Sequence, residues 1–303
     1  MRVTQSMLSN NMLRNLSSSY NKMGILQEQL NTGKKVNRPS DDPVVVMKSL
    51  GYGMTVDKVA QYQKNLGEVN NWLDSSDDAL DGVGQVLHRA KELATNAANT
   101  GAMTPEDREK IKIEMKQLRE QLQDLANTKV GDKYIFSGTA TDKPLYGENG
   151  YPELSTDNTP PTINQTAYEK QVEIEVFDGV NLRVNTEAGA MFKQIDEVFK
   201  DIQDSVDNNT DDFDFSGAIS SIEKNLDKVL TARADIGARS NRAELMDNRL
   251  QMQEGAAKKQ RSENEDIDYE VVITELITSE SIHRAALSVG ARIIQPSLVD
   301  FLR

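Results

Sequence analysis

Apolar residues recur at helical spacing along both ends of this 303-residue chain, and the spacing gives way to β-like alternation only in between. Leu13, Leu16, Tyr20, Met23 and Leu30 step three, four, three and seven. Val83, Val86, Ala90, Leu93 and Ala97 share one face, and Ile111, Met115, Leu118, Leu122 and Leu125 form a heptad seam. Near the other end Ile219, Ile222, Leu226 and Val229 begin a further seam, and Leu287, Ala291, Ile294, Leu298 and Phe301 carry one to the last residues. Such stripes need partners, because a helix with one apolar face is stable only when that face is covered. Two distant ends that both carry stripes most simply bury them on each other.

The punctuation agrees with this reading. Thr104-Pro105-Glu106-Asp107 opens a helix with a capping hydroxyl, a proline at the first position and two acids against the dipole. Gly101 just before it suits the close of the preceding helix. Pro296, inside the last stripe, is expected to kink or loosen the final turns.

The centre differs in charge and composition. Residues 139–215 carry a net charge of −12 out of −13 for the whole chain, and residues 134–215 hold ten of its 16 aromatic residues. Residues 1–50 carry +4. Val172, Ile174 and Val176 alternate with acids, Asp178-Gly179 follows, and Val180, Leu182 and Val184 alternate again. Asp-Gly between alternating runs predicts a hairpin. Residues 191–202 return to helical spacing, and 207–214 form an acidic, Asn-rich loop. The chain is therefore expected to be mainly α with an inserted β-rich domain. Its segments are 1–50, 51–138, a β-rich insertion at 139–190, 191–260 including the acidic loop, and 261–303.

Little chemistry is written here. The net charge of −13 opposes general nucleic-acid binding, which needs a positive footprint. With no cysteine, disulfide scaffolds, thiolate metal sites and cysteine nucleophiles are excluded. The two histidines, His88 and His283, fall in helical patterns and read as surface residues. No phosphate-binding glycine loop, dinucleotide loop or nucleophile elbow occurs. The acidic loop lacks the turn glycine and closing acid of a calcium site. No run approaches the roughly 18 apolar residues of a membrane span, and the start lacks a signal-peptide core. The expectation is no catalytic residue, no cofactor, no metal, no nucleic acid and no membrane.

Three segments are more specific than the stripes around them, one of them the last residues, Gln295-Pro-Ser-Leu298-Val-Asp-Phe301-Leu302-Arg303. In Leu30-Asn-Thr-Gly33-Lys-Lys-Val36-Asn37-Arg38-Pro39-Ser-Asp41-Asp42-Pro43 a helix closes on glycine and runs into a tight, self-capping connector. In Arg233-Ala-Asp-Ile-Gly237-Ala-Arg-Ser-Asn241-Arg242 a glycine within a seam predicts close approach of a neighbouring backbone. Together with Leu87-His-Arg-Ala-Lys-Glu92-Leu93-Ala94, these resemble motifs of the bacterial flagellin superfamily, over residues 1–138 and 216–303. Pro43, Gly131-Asp-Lys-Tyr134-Ile-Phe136-Ser-Gly138 and the opening Met1-Arg-Val-Thr are more similar to its hook–filament junction branch than to filament flagellins.

The resemblance implies an elongated helical shaft built from both chain ends, with a terminal coiled coil and a small outer β domain. It implies a structural protein without catalysis. That protein would be exported without a cleaved signal peptide, handed on by an export chaperone, and assembled with copies of itself as a ring at the hook tip. The first hook-associated protein would lie on one side and flagellin on the other. A filament-forming flagellin and a helical adaptor for partner coiled coils are the alternatives. Coiled-coil and subunit contacts are expected at Leu13, Leu16, Tyr20, Met23, Leu30, Leu287, Ala291, Ile294, Leu298 and Phe301. The family motif falls at Gly33, Asn37, Arg38, Pro39, Asp41, Asp42, Arg233, Gly237, Asn241 and Arg242.

Overall fold

A computed structural model describes residues 5–98, 105–147, 168, 170–186, 188–207 and 215–293. Six helices account for most of them: α1 Gln5–Thr32, α2 Pro43–Ala98, α3 Pro105–Ala126, α4 Gly189–Asp207, α5 Phe215–Glu265 and α6 Tyr269–Ile293. Two antiparallel hairpins are added, β1 Lys129–Val130 with β2 Lys133–Tyr134, and β3 Glu173–Phe177 with β4 Val180–Arg183. Among the described residues no helix is long and apolar enough to cross a membrane.

The chain divides into two units, residues 59–251 and residues 1–58 with 252–303. The division does not follow the expected segments. α2 runs unbroken through position 50, and α5 unbroken through position 260.

In the central unit, α2 buries one row at positions 59, 62, 66, 69, 73, 76, 80, 83, 87, 90, 94 and 97. The steps alternate three and four without a break, a 3.5-residue period that keeps one row inward when the helix winds with a slight left-handed supercoil. α5 answers with Ile222, Val229, Ile236, Ala243 and Leu250, spaced by seven and all buried. α3 contributes Ile111, Met115 and Leu122. Arg119 on α3 grips Asp196 on α4 with two hydrogen bonds of 2.7 and 2.8 Å. Phe136 and Phe192 meet edge to face at 5.1 Å, a favoured aromatic geometry.

The expected Asp178-Gly179 hairpin is present, with Gly179 at φ +69°. Its register carries a feature that the alternation does not show. Glu175 pairs with Asn181 and Phe177 with Val180, so Val176 is an extra residue in its strand. The bulge lets two successive side chains turn inward. Val176 is fully buried, while the Phe177 ring stacks near Tyr62 at 6.2 Å and lies 4.2 Å below the Arg249 guanidinium.

The terminal unit is built from α1, the start of α2, the end of α5, and α6. α1 and α6 pack on each other. Asp42 caps α2, accepting hydrogen bonds from the amides of Val44 at 2.9 Å and Val45 at 3.1 Å, with Pro43 at the first helical position. Asp268 does the same for α6, accepting from Glu270 at 3.0 Å.

Candidate functional site

The terminal unit concentrates the sequence-predicted contacts. Along α1 the half-buried and buried residues include the row Ser9, Met12, Leu16, Ser19, Met23, Leu26 and Leu30, with Glu28 and Gln29 beside its end; along α6 they are Val272, Leu276, Ser279, His283, Ala286 and Gly290. Both rows step three and four in strict alternation, which marks a coiled-coil seam. Lys22 reaches Glu275 at 3.3 Å, the Tyr20 and His283 rings lie 6.1 Å apart, and Met12 adjoins Gly290. Numbers rise along one helix as they fall along the other, so the pair is antiparallel.

Leu16, Met23 and Leu30 lie in this seam. Leu13, Tyr20, Leu287 and Ala291, expected as coiled-coil contacts beside them, do not: each follows a seam residue by one position and is exposed. A step of one residue turns the helix by about 100°. In an antiparallel pair of right-handed helices, that turn brings the following row of both helices to the same flank. Leu13 (55 % exposed), Tyr20 (68 %), Ile277 (59 %) and Leu287 (49 %) therefore fall on one flank with Ile273 and Ala291, beside the Arg284–Glu280 ion pair. The opposite flank carries Asn11, Asn15, Ser18 and the Lys22–Glu275 ion pair, and it also exposes Ile25, Val271, Ile282 and Val289. His283 departs from its surface reading: it sits in the seam, whereas His88 is exposed. Ile294, Leu298, Phe301 and the expected kink at Pro296 lie outside the described residues, as do Gly101 and Thr104.

The first family motif forms a clasp. Gly33 closes α1, its amide donating to the Gln29 carbonyl at 2.8 Å, at φ +71°. The positive φ is what calls for glycine; a Cβ there would also stand 2.9 Å from the hydroxyl of the exposed Tyr269, which would have to swing aside. Residues 34 and 266 then pair as a single antiparallel bridge. The Lys35 amide donates to the Glu265 carbonyl at 2.7 Å, and the Ile267 amide to the Gly33 carbonyl at 3.1 Å.

Beneath the bridge lies Glu265, only 8 % exposed. Its carboxylate accepts from Lys34, from Ser49 at 3.2 Å and from Arg261 at 3.0 Å. Burial, the largest single influence, pushes its pKa up, but the hydrogen bonds and charges of Lys34 and Arg261 together prevail and hold it below the ordinary value. Asn264 donates to the Val45 carbonyl at 3.0 Å. Asp41 closes the connector turn on Arg38, Asp42 caps α2, and Arg38 lies 3.6 Å from Glu28; Asn37 is half-buried and Pro39 exposed. Glu265 carries this clasp, yet sequence reading missed it. It is one of 48 acids, with partners more than 200 residues away along the chain.

The second motif, in the central unit, splits in two. Arg233 donates to Asp77 at 2.8 and 3.1 Å and to Asp81 at 2.5 Å, tying α5 to α2. The Asp77 hydrogen bond leads in raising the affinity of this guanidinium for its proton, against desolvation. Gly237, Asn241 and Arg242 point outward. A Cβ at Gly237 would meet nothing within 4 Å, so among the described residues the expected close backbone approach is not present there. Among the described residues no group of three or more His, Asp and Glu is placed to hold a metal ion.

The geometry is thus that of paired chain ends, a clasped connector and outward apolar rows. The model of the bacterial flagellin N-terminal helical region matches residues 3–141, and that of the C-terminal helical region matches residues 219–302. The chain belongs to the bacterial flagellin family. Flagellar hook-associated protein 3 of Escherichia coli is 24 % identical over 300 residues, covering 93 % of each chain. The flagellin of Bacillus subtilis is 24 % identical over 259 residues, covering 82 % of each. The crystal structure of Bacillus cereus FlgL superposes with a TM-score of 0.57 at 23 % identity, over 70 % of this chain and 99 % of that one. Family membership makes this chain a flagellar structural protein and accounts for both motifs lying in the two matched regions.

Proposed function

We propose that this flagellin-family chain joins the flagellar hook to the filament, polymerising at the hook tip between the first hook-associated protein and flagellin. The observation that carries the reading is the alignment with hook-associated protein 3 of Escherichia coli through 93 % of both chains, central region included. The exposed apolar side chains of the terminal pair supply the means. Leu13, Tyr20, Ile277 and Leu287 present large side chains that the chain's own fold leaves uncovered, and neighbouring subunits cover them. Each such side chain contributes roughly 1.5–3 kcal/mol when fully buried, so one contact of this kind is strong and repeated contacts are decisive. Catalysis has no part in this role. The chain reaches the hook tip by flagellar export without a cleaved signal peptide, accompanied by a chaperone that shields the same apolar ends.

Deletion of the gene in the source bacterium tests the reading. Cells with intact hooks that release unpolymerised flagellin into the medium are the expected result. Cells that keep their filaments refute it. Cells that lose filaments with no flagellin released support the filament-subunit alternative instead.

A further inference from the structure

A heptad seam does not by itself fix which residues of two helices stand opposite each other, because every seven-residue slip keeps seam facing seam. The α1–α6 seam is weak in specifying apolar knobs, with Ser9 and Ser19 on one helix and Ser279, His283, Ala286 and Gly290 on the other. Two matched pairs stand out against it. Gly290 is buried, and a Cβ built on it would collide with the Met12 methyl and lie 3.1 Å from its sulfur. Glycine is a poor helix former, so its presence inside α6 is not explained by local propensity. The Met12 thioether fills the space that the missing side chain leaves. Two turns of α1 further on, the exposed Tyr20 ring lies against His283, 6.1 Å between centroids and tilted by 46°.

A slip by one heptad toward the start of α6 sets the Met12 side chain against the imidazole of His283. It also carries Tyr20 away from the ring it contacts. Both penalties fall on the same slip, while the remaining seam residues tolerate it. We propose that Met12 with Gly290, and Tyr20 with His283, are the register key of the terminal pair: they determine that the first helix of the chain pairs with its last in one alignment only. That alignment brings Leu13, Tyr20, Ile277 and Leu287 to one flank at fixed intervals, so the key also sets the pattern offered to a neighbouring subunit. This inference rests on the reading of α1 and α6 as the assembly pair.

The absence of cysteine in the chain makes disulfide trapping clean. The full-length protein carrying Met23→Cys with Ser279→Cys reports the native register, since those seam positions stand opposite each other when Met12 faces Gly290. Leu16→Cys with Ser279→Cys reports the one-heptad slip that sets Met12 against His283. Adding Gly290→Leu forces a side chain into the space of Met12, and native cross-linking is expected to fall by about tenfold, in line with ordinary overpacking penalties. Slipped cross-linking rises in its place. Leucine favours helix over glycine, so helix breaking cannot account for the loss. Adding Met12→Ala to Gly290→Leu reverses the size match and is expected to restore the native cross-link. Unchanged native cross-linking in the Gly290→Leu protein, or failure of Met12→Ala to restore it, overturns the key. A parent protein that does not cross-link at 23 and 279 overturns the pairing itself. The deletion experiment is independent of both, so failure of the junction role is distinguished from failure of the key.

Discussion

Glu265 shows how one side chain can hold two distant parts of a sequence together. Its carboxylate sits under a backbone bridge and accepts from three donors on three different segments. Glu265→Ala removes the shared acceptor and is expected to destabilise the terminal unit by roughly 1–3 kcal/mol, read as a lower midpoint in urea. Because the folded carboxyl titrates below its unfolded value of about 4.3, its contribution is complete above that value and is lost as pH falls through the lower folded value. Acid titration of the wild type should therefore show loosening below about pH 4 that Glu265→Gln lacks; identical acid profiles would contradict this. Gly33→Ala is expected to cost about 1–2 kcal/mol, since alanine resists φ +71° and its methyl would crowd the Tyr269 hydroxyl. Gly237→Ala, which meets open space on a helix, should instead leave monomer stability unchanged or raise it by up to about 1 kcal/mol.

The helices themselves were legible in the sequence, and the side they bury was legible only where the largest side chains mark it. Ile111, Met115 and Leu122 on α3, and Val83 through Ala97 on α2, face inward as their spacing predicts. On α1 the large side chains occupy two adjacent rows: Leu16 and Met23 take the seam, Leu13 and Tyr20 the flank, and the seam itself includes Ser9 and Ser19. A pattern that follows size therefore drifts from one row to the next. The bulge at Val176 was hidden for a related reason, since perfect alternation in sequence says nothing about an added residue in the ladder. The distinction between rows has a measurable consequence. Leu26→Ala, in the buried seam, is expected to cost about 2–4 kcal/mol and to lower the helical content of the free protein. Leu13→Ser with Tyr20→Ser, on the open flank, should change circular dichroism little yet abolish incorporation at the hook tip. Equal effects of the two on helicity would mean the rows are wrongly assigned.

At the scale of the whole chain, the organisation follows from helix length. An α2 of 56 residues and an α5 of 51 are each too long for one small core, and each contributes to both units. Composition marks where the central β structure lies but not where the units divide, because no proline or glycine interrupts either helix at the division. What makes the molecule fit for a junction is that its first and last helices form one antiparallel pair, leaving large apolar side chains exposed beside the seam. Nitroxide labels at Ser18→Cys and Thr278→Cys, both exposed and on the flank opposite Leu13 and Tyr20, measure this directly by electron double resonance. Side-by-side helices have axes about 8–10 Å apart, so label separations below about 25 Å are predicted, in the free chain and after assembly alike. A helix the length of α1 extends about 42 Å; separations beyond about 40 Å in the assembled state would mean that the two ends of the chain run apart, and the account would fall.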